Sequence, residues 1–203
     1  MPERFTGGFV QTNGYLIETP DGSHLLVDAP AGSAAWLKAK GIVPTALLLT
    51  HQHYDHVEDA AAVAAMGVRV FAHAAYSTDL TLEEMMRSYG MPVHVEPYAV
   101  DELLEGRTSL EINGLRLELA HVPGHSPDSV TFFIRESGEL FSGDTLFEGS
   151  IGRPDLPGGD GPLLIDGIRE KLFVLPENTQ VFPGHGPTTT IGAERAGNPY
   201  CGD

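Results

Sequence analysis

The sequence HQHYDH at residues 51–56 follows the apolar run ALLL at residues 46–49, separated from it by a single threonine. An unbroken apolar run of this length predicts a strand that is buried on both faces, as in the middle of an α/β sheet. The polar hexapeptide therefore begins where a buried strand ends. Scaffolds commonly place binding and catalytic side chains at such sheet ends.

Four of the six residues in this segment are potential metal ligands. Because side chains alternate along extended backbone, His51 and His53 should point the same way. The turn that follows can bring Asp55 and His56 round to a second point. Neutral imidazole and carboxylate are common ligands of zinc, iron and manganese. Four such residues in six predict a metal site rather than a merely polar loop.

Three later segments each place one potential ligand beside an apolar strand. They are VPGHS at residues 122–126, SGDT at 142–145 and FPGHG at 182–186. The ligand candidates that they supply are His125, Asp144 and His185. A glycine precedes each candidate and permits a tight turn or a close approach of the backbone.

The pattern of elements around these segments predicts an α/β protein. A hairpin is expected around the turn at residues 19–22, and a helix over 33–40 with Ser33 as its N-cap and Gly41 as its stop. Further predicted elements are helices over 59–66, 78–87 and 163–172, and strands over 68–71, 115–119, 129–134, 139–142 and 180–183. This order suits two mixed sheets packed face to face with helices outside. We expect one domain over residues 1–203, with a surface helical excursion around 75–105.

Composition narrows the classes of function. The 203 residues carry 12 Lys and Arg against 28 Asp and Glu, a formal net charge of −16. Such a chain is repelled by phosphate backbones and anionic lipid, so nucleic-acid and membrane partners are not expected. The single cysteine, Cys201, excludes an internal disulfide and a cysteine-based zinc site. With neither a signal-peptide pattern nor a long apolar run, we expect a cytoplasmic protein.

The set HxHxDH, PGH, SGD and PGHG resembles the metallo-β-lactamase superfamily over nearly the whole chain. Within it, the sequence looks most like the short glyoxalase II-like proteins, which are similar to hydroxyacylglutathione hydrolase. The specific segments are SGDTLFEGSIGR at residues 142–153, PGHGPTTTIGAER at 183–195 and NPY at 198–200. The resemblance implies a four-layer αββα sandwich of two mixed β-sheets.

The resemblance also implies a binuclear site. One metal is held by His51, His53 and His125, the second by Asp55, His56 and His185, and Asp144 bridges them. Zinc is the expected metal for both positions, with iron or manganese as alternatives. His121 also lies near the PGH motif, but the family pattern assigns the ligand role to His125.

The implied reaction is hydrolysis of thioesters such as S-lactoylglutathione by a metal-bridging hydroxide. Asp55 and Asp144 are the expected catalytic carboxylates. Because the sequence contains no GxSxG nucleophile motif, the metal is the only good source of a nucleophile. Tyr54 and Arg153 are candidate contacts for the small-molecule substrate. Arg153 has an equally good alternative role in an ion pair with Asp155 or Glu148.

Two features depart from the larger glyoxalase II enzymes. Only 18 residues follow His185 in the 203-residue sequence, too few for the helical domain that helps those enzymes bind glutathione. Recognition of the whole tripeptide is therefore open, as is the role of Asp128, where relatives commonly have glycine.

Other functions remain alternatives. A persulfide dioxygenase of this fold would hold one iron with His51, His125 and Asp144, two histidines and one carboxylate. The PGHGP ending favours the hydrolase group. Lactonase or β-lactamase activity is a further alternative. A non-catalytic module is disfavoured because all seven ligand positions are filled.

Overall fold

The computed structural model describes residues 1–202, which form two compact units, residues 1–105 and residues from 106 onward. Each unit contains one six-stranded mixed β-sheet. The prediction of a single domain stays a prediction, and the two units are described in turn.

The first unit contains six strands and five short helices. The strands are β1 (Glu3–Gly7), β2 (Thr12–Glu18), β3 (His24–Val27), β4 (Ala46–Leu48), β5 (Arg69–Ala72) and β6 (Glu102–Leu103). The helices are α1 (Ser33–Lys40), α2 (Tyr54–Val57), α3 (Ala60–Ala64), α4 (Thr78–Thr81) and α5 (Glu83–Ser88). The strands lie side by side in chain order, antiparallel from β1 to β3 and parallel from β3 to β6.

The core of this unit explains why the apolar run forms a strand. Leu47 in β4 and Val70 in β5 are completely buried, together with Leu37 of α1 and Val63 of α3. A central parallel strand is covered on both faces, so it needs apolar side chains at successive positions. The prediction of a buried strand directly before the histidine-rich segment is confirmed.

Three predicted helix details differ from the structure. Helix α1 has Gly32 as its cap with φ 95°, while the Ser33 hydroxyl donates to the carbonyl of Pro30 at 2.6 Å. The helix predicted over 59–66 is the shorter α3. The helix predicted over 78–87 breaks at Leu82, whose φ of 57° lies in the left-handed region and separates α4 from α5.

Residues 75–105 belong to the first unit. Strand β6 pairs in parallel with β5 as an edge strand. Val93, Val95 and Tyr98 are buried in the same core as Leu47. Residues 75–105 thus contain two helices in place of the one predicted, and they also supply an edge strand and core side chains to the first unit.

Within residues 106–202, the second unit contains eight strands, of which six form its main sheet. The strands are β7 (Ser109–Ile112), β8 (Leu115–His121), β9 (Val130–Ile134), β10 (Glu139–Gly143), β11 (Leu146–Phe147), β12 (Ser150–Ile151), β13 (Gln180–Pro183) and β14 (Thr189–Thr190). The helices are α6 (Gly161–Gly167), which continues as a π-helical turn over Ile168–Leu172, and α7 (Ile191–Gly197). The sheet order is β14-β13-β10-β9-β8-β7, and only β10 and β13 are parallel neighbours. Strands β11 and β12 form a separate hairpin.

The core of the second unit lies between its sheet and its helices. Leu140 of β10 and Val181 of β13 are completely buried against Leu164 of α6 and Ile168 of the π-helical turn. The carboxyl ends of β10 and β13 carry the SGD and PGHG segments. Among residues 1–202, no helix has the length and apolar character that crossing a bilayer requires.

Candidate metal centre

The first unit brings its four ligand candidates together where β4 ends and α2 begins. His51, His53, Asp55 and His56 are all buried, with none more than 6% exposed. The ring centroid of His51 lies 4.6 Å from that of His53 and 4.1 Å from that of His56. Nε2 of His56 is 3.5 Å from Oδ2 of Asp55. Because polar groups are costly to bury, such a cluster needs specific partners.

Asp28 is one such partner. It directly follows β3 in the left-handed region, with φ 57°. Its carboxylate accepts hydrogen bonds from the backbone N–H of Thr50, from the Thr50 hydroxyl and from Nδ1 of His56, each at 2.8 Å. A carboxylate on Nδ1 fixes the ring and directs Nε2 to a metal, as in many metal sites.

The Thr50 hydroxyl extends this arrangement to a second histidine. An ionised carboxylate only accepts, so the single hydroxyl proton of Thr50 goes to Asp28. Thr50 Oγ1 can then accept from Nδ1 of His51, which lies 3.1 Å away. We infer from this order of donors that His51 carries its proton on Nδ1. Nε2 is then the nitrogen available to a metal in both His51 and His56.

Asp55 has its own supporting contact within the first unit. The hydroxyl of Thr12, in β2, donates to Oδ2 of Asp55 at 2.7 Å. Neighbouring Tyr54 is buried, and this burial, with the negative charge of Asp55, raises the pKa of its phenol to about 12. Tyr54 therefore carries a neutral hydroxyl at physiological pH. Its predicted substrate contact stays a prediction.

The second unit assembles the remaining three candidates around one oxygen atom. Oδ2 of Asp144 lies 3.5 Å from Nε2 of His125 and 3.4 Å from Nε2 of His185. Asp144 and His185 follow the parallel strands β10 and β13, whose carboxyl ends meet at the same edge of the sheet. One carboxylate oxygen beside two imidazoles is the arrangement expected of a bridging ligand.

The backbone around Asp144 and His125 is tightly constrained. A Cβ on Gly152 would lie 1.9 Å from the carbonyl oxygen of Asp144. Only glycine permits this approach, which brings the next residue, Arg153, alongside His125. The carbonyl of Arg153 accepts a hydrogen bond from Nδ1 of His125 at 2.9 Å. His125 therefore also directs Nε2 to a ligand position.

The spacing of these atoms fits a metal. Two nitrogen or oxygen ligands at about 2.0–2.1 Å from a tetrahedral ion lie about 3.4 Å apart. The His–Asp separations of 3.4–3.5 Å match that value and exceed a normal hydrogen bond. Three groups of residues have ligand atoms within 4.8 Å of one another. They are His51, His53 and His125; His51, His56 and Asp144; and Asp55, His56 and His185. These clusters fit a binuclear site.

The Arg153 side chain adopts the ion pair that the sequence left as an alternative. Its Nε and one terminal nitrogen donate to the two carboxylate oxygens of Asp155, both at 2.8 Å. These hydrogen bonds lower the pKa of Asp155 to about 2. The predicted contact of Arg153 with substrate stays a prediction. Its backbone carbonyl, not its side chain, contacts the candidate ligand His125.

Two further residues singled out from sequence have local partners. His121 donates from Nε2 to the carbonyl of Pro127 at 2.8 Å and belongs to none of the three ligand groups. The side chain of Asp128 is buried and accepts a hydrogen bond from the hydroxyl of Ser126. The hydrogen bond from Ser126 links Asp128 to the loop that contains His125.

Sequence reasoning missed the supporting residues Asp28, Thr50 and Thr12. A signal was available for Asp28, because it follows an apolar strand just as Asp144 does. Thr50 fills the single position between the ALLL strand and His51. Nothing local marks Thr12, since its contact with Asp55 joins positions 43 residues apart.

Comparison with known proteins gives a consistent result. A family model described as the metallo-β-lactamase superfamily matches residues 7–185. A probable metallo-hydrolase YqgX of Bacillus subtilis is 37% identical over 205 residues, covering 97% of this chain and 95% of the relative. The hydroxyacylglutathione hydrolase GloC of Haemophilus influenzae is 38% identical over 159 residues, covering 76% of this chain and 74% of GloC.

Solved structures show the same fold. BLEG-1, described as a B3 metallo-β-lactamase, is 38% identical, with a TM-score of 0.88 and 99% of both chains covered. The protein TTHA1623, solved in a di-iron-bound form, is 37% identical, with a TM-score of 0.84 over 98% of this chain and 99% of its own. The predicted fold of two mixed sheets flanked by helices is confirmed.

Proposed function

This chain belongs to the metallo-β-lactamase superfamily and is a metallo-hydrolase with a candidate metal site, and from that premise we propose that it hydrolyses thioesters such as S-lactoylglutathione. The observation that carries the proposal is the complete set of seven histidine and aspartate ligands. A pair of divalent ions held there would supply hydroxide at neutral pH and polarise a substrate carbonyl. We propose zinc for both positions.

The protein's own residues provide the framework for this chemistry. Asp28 and the Arg153 carbonyl fix His56 and His125 with Nε2 directed to the ligand position. Thr12 orients the carboxylate of Asp55 by a hydrogen bond. One carboxylate oxygen of Asp144 lies beside Nε2 of both His125 and His185. Ligands held in advance by such contacts need little reorganisation on binding.

The single cysteine of the chain is not a competing nucleophile. Cys201 is completely buried, and that burial, together with the charge of Glu194, raises the pKa of its thiol to about 11. The reactive form of cysteine is the thiolate, so this thiol is inert at neutral pH. The hydrolytic step therefore depends on the seven ligands.

The choice of a thioester rests on two arguments. The similarity to GloC extends over three quarters of both chains. A thiolate is a good leaving group because its conjugate acid has a pKa near 8.5, so cleavage of a thioester needs little help from a general acid. A site built mainly from metal ligands suits such a substrate.

A β-lactam is the second candidate substrate, because the match to BLEG-1, described as a B3 metallo-β-lactamase, covers 99% of this chain at 38% identity. The di-iron form of TTHA1623 likewise makes iron an alternative to zinc. Both alternatives are tested in the same experiment as the main proposal.

The experiment compares zinc-loaded and iron-loaded protein on S-lactoylglutathione, a cephalosporin and glutathione persulfide, alongside elemental analysis. We expect two metals per chain and a kcat/KM for the thioester about a hundredfold above that for the β-lactam. Asp144→Ala should lower metal content and abolish turnover, whereas His121→Ala, a matched non-ligand histidine, should leave both unchanged. A preference for the β-lactam, or oxygen consumption with the persulfide, would overturn the proposal.

A further inference from the structure

The C-terminal helix α7 is tied to the β11–β12 hairpin by a buried hydrogen-bond network. Glu194 in α7 is only 3% exposed. Its Oε2 accepts from the backbone N–H of Gly149 at 2.9 Å and from Nδ2 of Asn198 at 2.8 Å, and its Oε1 accepts from the Thr189 hydroxyl at 2.6 Å. Both oxygens of this buried carboxylate accept hydrogen bonds, so Glu194 is a structural group and not a solvated surface charge.

Asn198 adds a second link to the same hairpin. Its Nδ2 also donates to the carbonyl of Ser150 at 3.0 Å, and its Oδ1 accepts from the N–H of Tyr200 at 3.0 Å. The hairpin has only two residues in each strand and is not part of the six-stranded sheet. An isolated hairpin of this size is not stable by itself in water. Its conformation therefore depends on external anchors such as Glu194 and Asn198.

The hairpin lies next to all three candidate ligands of the second unit. It begins two residues after Asp144 and ends two residues before Arg153, whose carbonyl holds Nδ1 of His125. Phe147 in β11 places its ring edge-on to the imidazole of His185, with centroids 6.1 Å apart. A displacement of the hairpin would therefore change the positions of all three candidate ligands.

We propose that Glu194 and Asn198 are positioning residues that hold the hairpin so that Asp144, His125 and His185 are set for metal binding. This inference rests on the proposed metal-dependent function. Neither residue is among the ligand groups, so each acts through the hairpin and not on the metal itself. Supporting partners of this kind typically change metal affinity 10- to 100-fold when removed.

The hydrogen-bond pattern makes a sharp distinction between two substitutions. In Glu194→Gln, the amide oxygen can accept from both Gly149 and Asn198, while the amide nitrogen can donate to the Thr189 hydroxyl. All three contacts survive without the charge. Glu194→Ala removes all of them and leaves the N–H of Gly149 without its acceptor.

Arg195 provides a matched control on the same helix. It donates to the carbonyl of Phe173 at 3.3 Å and pairs with Glu177, and neither partner belongs to the hairpin. Arg195→Ala should weaken the attachment of α7 without releasing the hairpin. Any effect of general destabilisation should therefore appear in this variant as well.

The experiment measures zinc affinity by competition with a chromophoric chelator, and hydrogen–deuterium exchange over residues 144–153 in the metal-free protein. For Glu194→Ala and Asn198→Ala we expect zinc binding about 10- to 100-fold weaker and faster exchange in the hairpin. Glu194→Gln should stay within about threefold of the parent protein, and Arg195→Ala should lower only the Tm.

Unchanged zinc affinity and exchange in a folded Glu194→Ala protein would overturn the inference, as would an equal loss of affinity in Arg195→Ala. If Glu194→Ala does not fold, Asn198→Ala decides, because it removes the bond to Ser150 while Glu194 keeps two of its three donors. Neither readout uses a substrate. A parent protein that binds two zinc ions but cleaves no thioester would therefore contradict the proposed function and leave this inference standing.

Discussion

Asp28 shows how one side chain can orient two candidate metal ligands. It accepts from His56 directly and from His51 through the Thr50 hydroxyl, so both imidazoles have a defined tautomer. The carboxylate reaches this position from a backbone with φ 57°, a region that Asn and Asp adopt more readily than most residues. An aspartate at position 28 thus tolerates the left-handed backbone and also supplies the oxygens that accept these hydrogen bonds.

Asp28→Asn tests this role while keeping a residue that tolerates the same backbone. One carboxylate oxygen becomes an NH₂ group, which cannot accept, so either Nδ1 of His56 or the backbone N–H of Thr50 loses its acceptor. We expect metal affinity to fall about 10- to 100-fold, measured by chelator competition. Asp21→Asn, in an exposed turn where the carboxylate binds only Thr19 and Ser23, is the control and should not change affinity. Equal affinities in the two variants would exclude the role of Asp28.

Cys201 makes a pH-dependent contribution to stability. Burial raises the pKa of its thiol to about 11 from a usual value near 9, so the folded state holds the proton more tightly than the unfolded state. Its contribution is fully present below pH 9 and is lost as the pH rises through 11. The loss between pH 8 and pH 10 should be about 1 kcal/mol.

The measurement compares urea unfolding of the parent protein and Cys201→Ala at pH 8, 9 and 10. Lysine and tyrosine titrations are common to both proteins and cancel in the difference. The stability advantage of the parent over the variant should therefore shrink as the pH rises. A constant difference across this range would mean that the thiol has the same pKa in the folded and unfolded states.

Among the elements, apolar runs predicted the central strands, and Gly41 marked the end of α1, although the N-cap of that helix is Gly32 and not Ser33. It failed where tertiary contacts decide the structure. Strand β6 has two residues and exists because β5 offers a parallel edge. Helix α7 follows a segment rich in glycine and threonine and depends on Glu194, whose partners lie up to 45 residues away. The left-handed break at Leu82 likewise has no signal in its own residue type.

The candidate metal ligands can be recognised in the sequence for the opposite reason. Each ligand stands beside a glycine or in a dense cluster at the end of an apolar strand, and both signals are local. The supporting contacts were not predictable in this way. The contact between the Arg153 carbonyl and His125 cannot be recognised from the residue type, because every amino acid, proline included, supplies the same backbone oxygen.

Gly152 directly follows strand β12 of the hairpin and lies against the candidate ligands Asp144 and His125. A Cβ there would lie 1.9 Å from the carbonyl oxygen of Asp144, a backbone atom that cannot move without moving the ligand. Gly152→Ala should therefore destabilise the fold by about 1–3 kcal/mol or more and weaken metal binding. Thermal unfolding with and without zinc measures both effects.

The control for this substitution is Gly197→Ala. Gly197 ends α7 with nothing within 4 Å of an added Cβ and without a positive φ. Alanine there should be neutral or stabilising by about 0.4–1 kcal/mol. If Gly152→Ala behaved in the same way, the close approach to Asp144 would not constrain the site.

At the scale of the whole molecule, the net charge of −16 opposes the approach of an anionic substrate. The range of this repulsion is about 30 Å at 0.01 M ionic strength and about 8 Å at 0.15 M. One basic side chain near the ligands, Arg153, is already neutralised by its two hydrogen bonds to Asp155. Screening should therefore help a negatively charged thioester to reach the site.

We expect kcat/KM for S-lactoylglutathione to rise about threefold as potassium chloride increases from 0.01 to 0.15 M. A neutral thioester without the peptide should show no such rise, because its approach is not opposed by charge. Arg153→Ala should leave the salt dependence of both substrates unchanged if Asp155 keeps the guanidinium occupied. A decrease with salt for the anionic substrate, abolished in Arg153→Ala, would instead mean that Arg153 leaves Asp155 to bind the glutathione carboxylates.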